Sequence, residues 1–223
     1  RFSLGDDELV PINLWVPSER VAVHRIAKPT APQRKWSSLV PWVLEERLLQ
    51  PVDKMHFVIG TSPNEDLVDV FTVSREDLNT WLSVADNSGF LPVKMVPDYF
   101  AIPWEEGRIN VGWRDGFCLV RHSATEGFAA KPDLAWTMIE CLLDDDMVAL
   151  RLSISLPDPK LVPENLRVRA EVNDAVPDWQ MTDMEMTVNL LSGEFAPPRQ
   201  APRLNLGQAN LAGFVIVTLL LLT

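Results

Sequence analysis

Eighteen prolines are spread through the 223 residues, and no other feature limits the fold as much. Each proline fixes its own φ and removes a backbone donor. The chain must therefore be built from short elements joined by many fixed turns, with few long helices. The length suits one large domain or two small lobes, with room for a sizeable core. A hydrophobic content of 47% against 23% charged excludes wholesale disorder.

Between the prolines, strand and helix patterns alternate. Residues 12–16 and 20–26 are β-prone runs joined at Pro17-Ser18, which predicts a hairpin. From 34 to 50, Trp36, Leu39, Val40, Val43, Leu44 and Leu48 recur at helical spacing, which predicts one apolar face kinked or restarted at Pro41. Residues 52–59 and 67–73 read as strands. Ser74, followed by Glu76 and Asp77, caps a helix to about Ser88, with Leu78, Trp81, Leu82 and Ala85 inward and Gly89 just past its end. A strand at 91–96 and a compact apolar stretch at 97–104 follow. Residues 109–113 and 117–121 flank Arg114-Asp115-Gly116, a strong hairpin signal. Asp133 opens a helix to Leu143, with Leu134, Met138, Ile139 and Leu142 on one side. Asp144, Asp145 and Asp146 oppose the dipole at its C-terminus and should end it. Residues 148–156 and 166–172 alternate like half-buried strands, and 184–191 is a last strand or helix. This order predicts a mixed α/β fold with two lobes and many hairpins.

The chemistry is mostly defined by exclusions. Twenty basic and 31 acidic side chains leave a net charge of −11, which argues against a nucleic-acid footprint and against binding polyphosphate or anionic lipid by bulk charge. Cys118 and Cys141 without a Cys-x-x-Cys pair, beside three histidines, exclude a disulfide scaffold and argue against structural zinc. They are expected to be reduced core thiols. Gly107 and Gly112 have phosphate-loop spacing, but Trp113 and Arg114 stand where Lys and Ser or Thr are required. His24, His56 and His122 sit in or beside strands with no motif around them and read as structural. No nucleophile elbow occurs, so no catalytic, cofactor or metal residue is assigned. Asp144, Asp145 and Asp146 form a solvated loop or a partner-binding surface for a basic protein. The eight tryptophans are expected mostly in the core, with one or two left exposed as interface anchors.

The C-terminus has a different character. No charge follows Arg203, and residues 211–223 are almost wholly apolar. Leu211, Phe214, Val215, Ile216, Val217, Leu219, Leu220, Leu221 and Leu222 read as the start of a transmembrane helix, because Thr218 is too little to make a polar face. Arg199 and Arg203 precede the run and, by the positive-inside rule, place the domain before it in the cytoplasm. Unpaired cysteines agree with that side.

Three motifs resemble a known family. Leu39-Val40-Pro41-Trp42-Val43-Leu44-Glu45-Glu46-Arg47-Leu48 resembles the LPW-x-LEE-x-L helix of protein L of the bacterial type II secretion system. Val96-Pro97-Asp98-Tyr99-Phe100-Ala101-Ile102-Pro103-Trp104 resembles its P-D-x-x-A-L-P-W element. Asn189-Leu190-Leu191-Ser192-Gly193-Glu194-Phe195-Ala196-Pro197 is similar to its NLL-x-G-x-[FY]-A-P stretch, just ahead of the membrane helix.

The resemblance implies a single-pass inner-membrane protein whose cytoplasmic domain has an α/β, actin-like (ribonuclease H-like) fold, similar to the pilus-assembly protein M. On that basis residues 1–105 form a first lobe and 106–196 a second lobe with inserted strands. Residues 197–210 form a juxtamembrane linker and 211–223 the cut transmembrane helix. The implied role is recruitment of the secretion ATPase (protein E), through its N-terminal domain, and coupling to pseudopilus assembly. The implied partners are that ATPase, protein M of the same platform and a second copy of the chain. Active actin-like ATPases present Asp-x-Gly turns to the phosphates. Here the corresponding turns read Val16-Pro17-Ser18-Glu19 and Trp113-Arg114-Asp115-Gly116, so a non-enzymatic scaffold without cofactor is expected. Asp98 reads as structural. The alternative is an actin-like protein that retains nucleotide binding or ATPase activity.

Overall fold

The computed structural model describes residues 9–61, 65–145, 151–172 and 188–197. The prolines act as starters of turns. Pro17, Pro32, Pro51 and Pro97 are each extended and each precede a 3-10 turn, at Ser18–Arg20, Gln33–Lys35, Val52–Lys54 and Asp98–Ala101. Their fixed φ brings the chain into the turn, where their missing N–H is not needed.

The first half contains β1 (Val10–Val16), β2 (Val21–Ala27), α1 (Trp36–Leu44), β3 (Met55–Ile59), β4 (Leu67–Ser74), α2 (Arg75–Asn87) and β5 (Phe90–Pro97). β4 lies between β2 and β3 in an antiparallel three-stranded sheet, and β1 pairs with β5 in parallel. The hairpin expected at Pro17-Ser18 does not form, because β1 and β2 take different partners. A tight hairpin needs residues that accept positive φ, and Pro-Ser-Glu-Arg offers none. The chain passes instead through the 3-10 turn Ser18–Arg20.

The second half contains β6 (Arg108–Arg114), β7 (Phe117–Arg121), β8 (Gly127–Ala130), α3 (Pro132–Asp145), β9 (Arg151–Ile154), α4 (Glu164–Arg167) and β10 (Ala170–Val172). Its sheet has the order β10-β9-β6-β7-β8, with β6, β7 and β8 antiparallel and β9 and β10 parallel to β6. The β6–β7 hairpin forms as predicted. Asp115 (φ 47°) and Gly116 (φ 82°) both adopt the left-handed geometry of a primed turn.

Helix packing matches the sequence pattern in one case and departs from it in two. In α2, the Ser74 Oγ accepts the Asp77 N–H at 2.9 Å, Leu78, Trp81 and Ala85 are buried, and Gly89 takes φ 81° after the end. In α1, a narrow stripe of buried Val40 and Leu44 with half-buried Trp36 and Leu48 packs on Ile26, Val68 and Val70. Leu39 and Val43, expected inward, are exposed, because this sheet covers only the i, i+4 line of the helix. In α3 the buried face is Ala135, Trp136, Ile139 and Leu143, packed against β6, β7 and β9. Leu134 and Met138 point outward, so the apolar stripe is rotated from the expected one. Leu166 belongs to α4, not to a strand, and the strand begins only at Ala170.

Residues 188–197 return to the first half. Leu190 and Leu191 join the core formed by β1, β4, α2 and β5. The Leu190 N–H donates to the Met95 carbonyl at 2.9 Å, and the Asn189 Oδ1 accepts the Met95 N–H at 3.0 Å. His56 Nε2–H donates to the Leu190 carbonyl at 3.0 Å. These bonds hold a stretch that is neither strand nor helix at 188–192. The rest of the expected element at 184–191 lies outside the described residues, as do Trp179, Asp146, Arg199, Arg203 and the apolar run 211–223. Among the described residues, no helix is long and apolar enough to cross a membrane.

Candidate functional site

Two features stand out: an ionic cluster between the halves, centred on a buried aspartate, and an exposed apolar surface on α1. The cluster begins with Asp98, which is buried at the start of a 3-10 turn. Its Oδ1 accepts the Ser18 N–H at 3.1 Å and the Ser18 hydroxyl at 2.6 Å, and the Tyr99 N–H donates back to Ser18 Oγ at 3.0 Å. From the second sheet, Arg114 brings Nε to 2.5 Å from Asp98 Oδ2, and its Nη2 donates to Glu19 Oε2 at 2.5 Å. The Nε–H is not aimed at the carboxylate oxygen, so that contact is an ion pair without a formed hydrogen bond. Burial pushes the Asp98 carboxyl up to about 6, against the downward pull of Arg114 and Ser18. Burial also opposes the charge of Arg114, but Asp98 and Glu19 outweigh it and raise its pKa.

A second set of contacts joins the halves nearby. Asp69, fully buried in β4, takes a forked pair of bonds from Arg25 at 2.8 and 3.2 Å and one from the Thr125 hydroxyl at 2.6 Å. Arg25 Nη2 also reaches Glu126 Oε2 at 2.8 Å. The Tyr99 hydroxyl donates to the Thr125 carbonyl at 2.7 Å. Gly127 is required here. A Cβ on it would lie 2.5 Å from the Val120 carbonyl oxygen and would strike the Tyr99 ring. Arg121 donates to the carbonyls of Phe100, Ile102 and Ala124.

Sequence reasoning named the two turns and Asp98 but not their union. Ser18, Glu19, Asp98 and Arg114 are brought together by folding. Asp69 and Arg25 were missed. The available signal was an acid inside the apolar run 67–73. Gly107 takes φ 73° just before β6 and Gly112 lies within that strand, so the pair leads into a strand and not into a helix N-terminus. Among the described residues, no group of three or more His, Cys, Asp or Glu could hold a metal. α3 reaches Asp145, two residues past the expected stop, so the helix carries the backbone of Asp144 and Asp145. Their side chains, like Asp146, lie outside what is described. Cys118 is buried and its thiol is pushed up to about 12 by burial. Cys141 is exposed, against the expectation of two core thiols, because it faces away from the buried side of α3.

On the surface, Trp42 is 66% and Trp104 41% exposed, while Trp15, Trp81 and Trp136 are core. Trp42 lies with exposed Leu39, Val43 and Leu49 along α1 and the turn after it. A groove of about 520 Å³ runs beside it, lined by Trp42, Glu45 and the 48–53 segment.

Residues 6–198 match the family model for protein L of the type II secretion system. The chain belongs to that family. Among curated type II secretion system L proteins, that of Dickeya chrysanthemi is 24% identical over 200 residues, 87% of this chain and 47% of the relative. That of Vibrio cholerae is 29% identical over 174 residues, 75% of this chain and 42% of the relative. The chain thus spans less than half the length of these L proteins. The fold is similar to that of the cytoplasmic domain of EpsL, an inner-membrane component of the type II secretion system of Vibrio cholerae. The TM-score is 0.67 at 23% identity, covering 83% of this chain and 79% of the other. It is also similar to a chain of the PilM-PilN type IV pilus biogenesis complex, with TM-score 0.50 at 13% identity, covering 79% and 74%. A weaker likeness, TM-score 0.45 at 10% identity over 79% of this chain and 72% of the other, is to a protein of actin-like ATPase fold from Bacteroides thetaiotaomicron. The protein L resemblance read from the three motifs therefore holds, as does the mixed α/β class with several sheets.

Proposed function

We propose that this L-family chain is the cytoplasmic part of a single-pass inner-membrane platform protein, which recruits the secretion ATPase to the membrane and couples it to pseudopilus assembly. It does so as a scaffold, not as an enzyme. Its partners are the N-terminal domain of the ATPase, protein M of the same platform and a second copy of itself. Family membership supports the secretion role, and the described inner-membrane location of EpsL supports the side and the membrane.

The observation that carries the scaffold reading is the ion-pair closure between the two turns. An actin-like ATPase offers those turns to phosphate. Here Arg114 from one turn is paired with Asp98 and with Glu19 of the other. A half-buried cation already paired with two carboxylates has little left to offer a phosphate. Co-purification with the N-terminal region of a secretion ATPase tests recruitment, and a complex at micromolar concentration is expected. Titration with ATP and Mg²⁺ tests the enzymatic side. No binding is expected, and micromolar affinity would overturn the scaffold reading.

A further inference from the structure

We propose that the groove at the C-terminal end of α1 docks an amphipathic segment of a partner protein, one that presents a large apolar side chain flanked by lysine or arginine. The inference rests on the platform role proposed above and names where and how such a partner is held.

The groove is built on a firm base. Val40 and Leu44 are fully buried against Ile26, Val68 and Val70, so the helix cannot turn to hide its outer side. That outer side carries Trp42, with Leu39 and Val43 beside it. Beyond the helix, Leu48, Leu49 and Val52 continue the apolar lining. Pro51 starts the turn Val52–Lys54 and closes it with a Lys54 N–H bond to its carbonyl at 2.9 Å, which fixes the far wall. A volume of about 520 Å³ falls within the usual range of roughly 300–1,000 Å³ for binding pockets, enough for one or two large side chains. Exposed tryptophan beside such a recess is the residue type most enriched at energetic centres of interfaces.

Charge decides the occupant. Glu45 and Asp53 lie in the lining, and no lysine or arginine does. Arg47 and Lys54 neighbour these positions in sequence but stay out of the lining. A mostly apolar lining that also carries two acids is complementary to an apolar anchor next to a basic group. A second copy docking on this face by two-fold symmetry would bring the same acids together, which is unfavourable. The apolar C-terminal run also fails to match, because residues 204–223 contain no charged side chain.

Fluorescence anisotropy at physiological salt tests this with two labelled synthetic helices, one of Leu and Lys and one with Glu replacing every Lys. The wild-type chain should bind the basic helix and not the acidic one. Trp42→Ala and the double variant Glu45→Lys/Asp53→Lys should each weaken the basic helix by about tenfold or more. Asp86→Lys on α2, also an exposed acid, should leave it unchanged. Circular dichroism of every variant checks folding. The proposal is overturned by failure of the basic helix to bind, by equal binding of both helices, or by unchanged affinity in both groove variants. Trp42-dependent self-association in sedimentation would overturn it in favour of a second copy. The ATPase N-terminal region, measured in parallel, separates the two readings. If it binds the wild type and the Trp42→Ala chain equally, the groove falls and the platform role stands. If it does not bind while the basic helix shows its Trp42 dependence, the platform role falls and the groove stands.

Discussion

The junction between the halves and the outer face of α1 invert the ordinary partition of side chains. At the junction, Asp98 and Asp69 are carboxylates buried in the interior, and each is answered by an arginine and a hydroxyl. On α1, Trp42, Leu39 and Val43 are apolar and left in water. The difference is one of satisfaction. A buried charge persists only when its partners are supplied internally, and both carboxylates of the junction are paired within the fold. An exposed apolar cluster has no internal partner, so it is incomplete without one.

The sharpest break of that contrast is Arg114→Met. It strands Asp98 and Glu19 without their counter-charge and should cost about 3–5 kcal/mol at pH 7 by urea titration. Part of the loss should return at pH 5. Burial holds Asp98 at about 6 when folded, above its ordinary 3.8, so the folded chain binds more protons than the unfolded one between those values. Stability therefore falls as pH rises through that window, and the fall should be steeper and reach higher pH once Arg114 is gone. A loss independent of pH between 5 and 7 would assign it to packing instead.

Next in size is Leu44→Ala, on the buried side of the same helix as Trp42, which should cost about 2–5 kcal/mol by opening a cavity under α1. Gly127→Ala should cost about 1–3 kcal/mol in thermal unfolding, because the added methyl meets Tyr99 and the Val120 carbonyl. The smallest effect is expected for Trp42→Ser, within about 0.5 kcal/mol of wild type by the same melt. If Trp42→Ser destabilised the fold as much as Leu44→Ala, the two sides of α1 would not differ as described, and the exposed face would be structural.

Much of this was legible in residue order. Ser74, Asp77 and Gly89 define α2 locally, and Asp115-Gly116 defines the β6–β7 turn, because caps and primed turns are made by residues adjacent in sequence. The family was legible from three short motifs, two of which lie on the regions compared above. The orientation of α1 and α3 was not. Both have more apolar positions than their sheets can cover, and only packing selects which line goes inward. Pairing of β1 with β5 and of β2 with β4 was also hidden, since a strand pattern names a face and not a partner.

The sequence by itself determined short elements, proline-started turns, the α/β class and the family. Those properties are written in near neighbours and in motifs. Tertiary structure alone decided that Ser18, Glu19, Asp98 and Arg114 form one closed cluster, although Ser18 and Asp98 are 80 residues apart. It alone decided that Trp42 stays outside. Charge pairing and burial depend on which surfaces meet, and a linear pattern of residue types does not specify that.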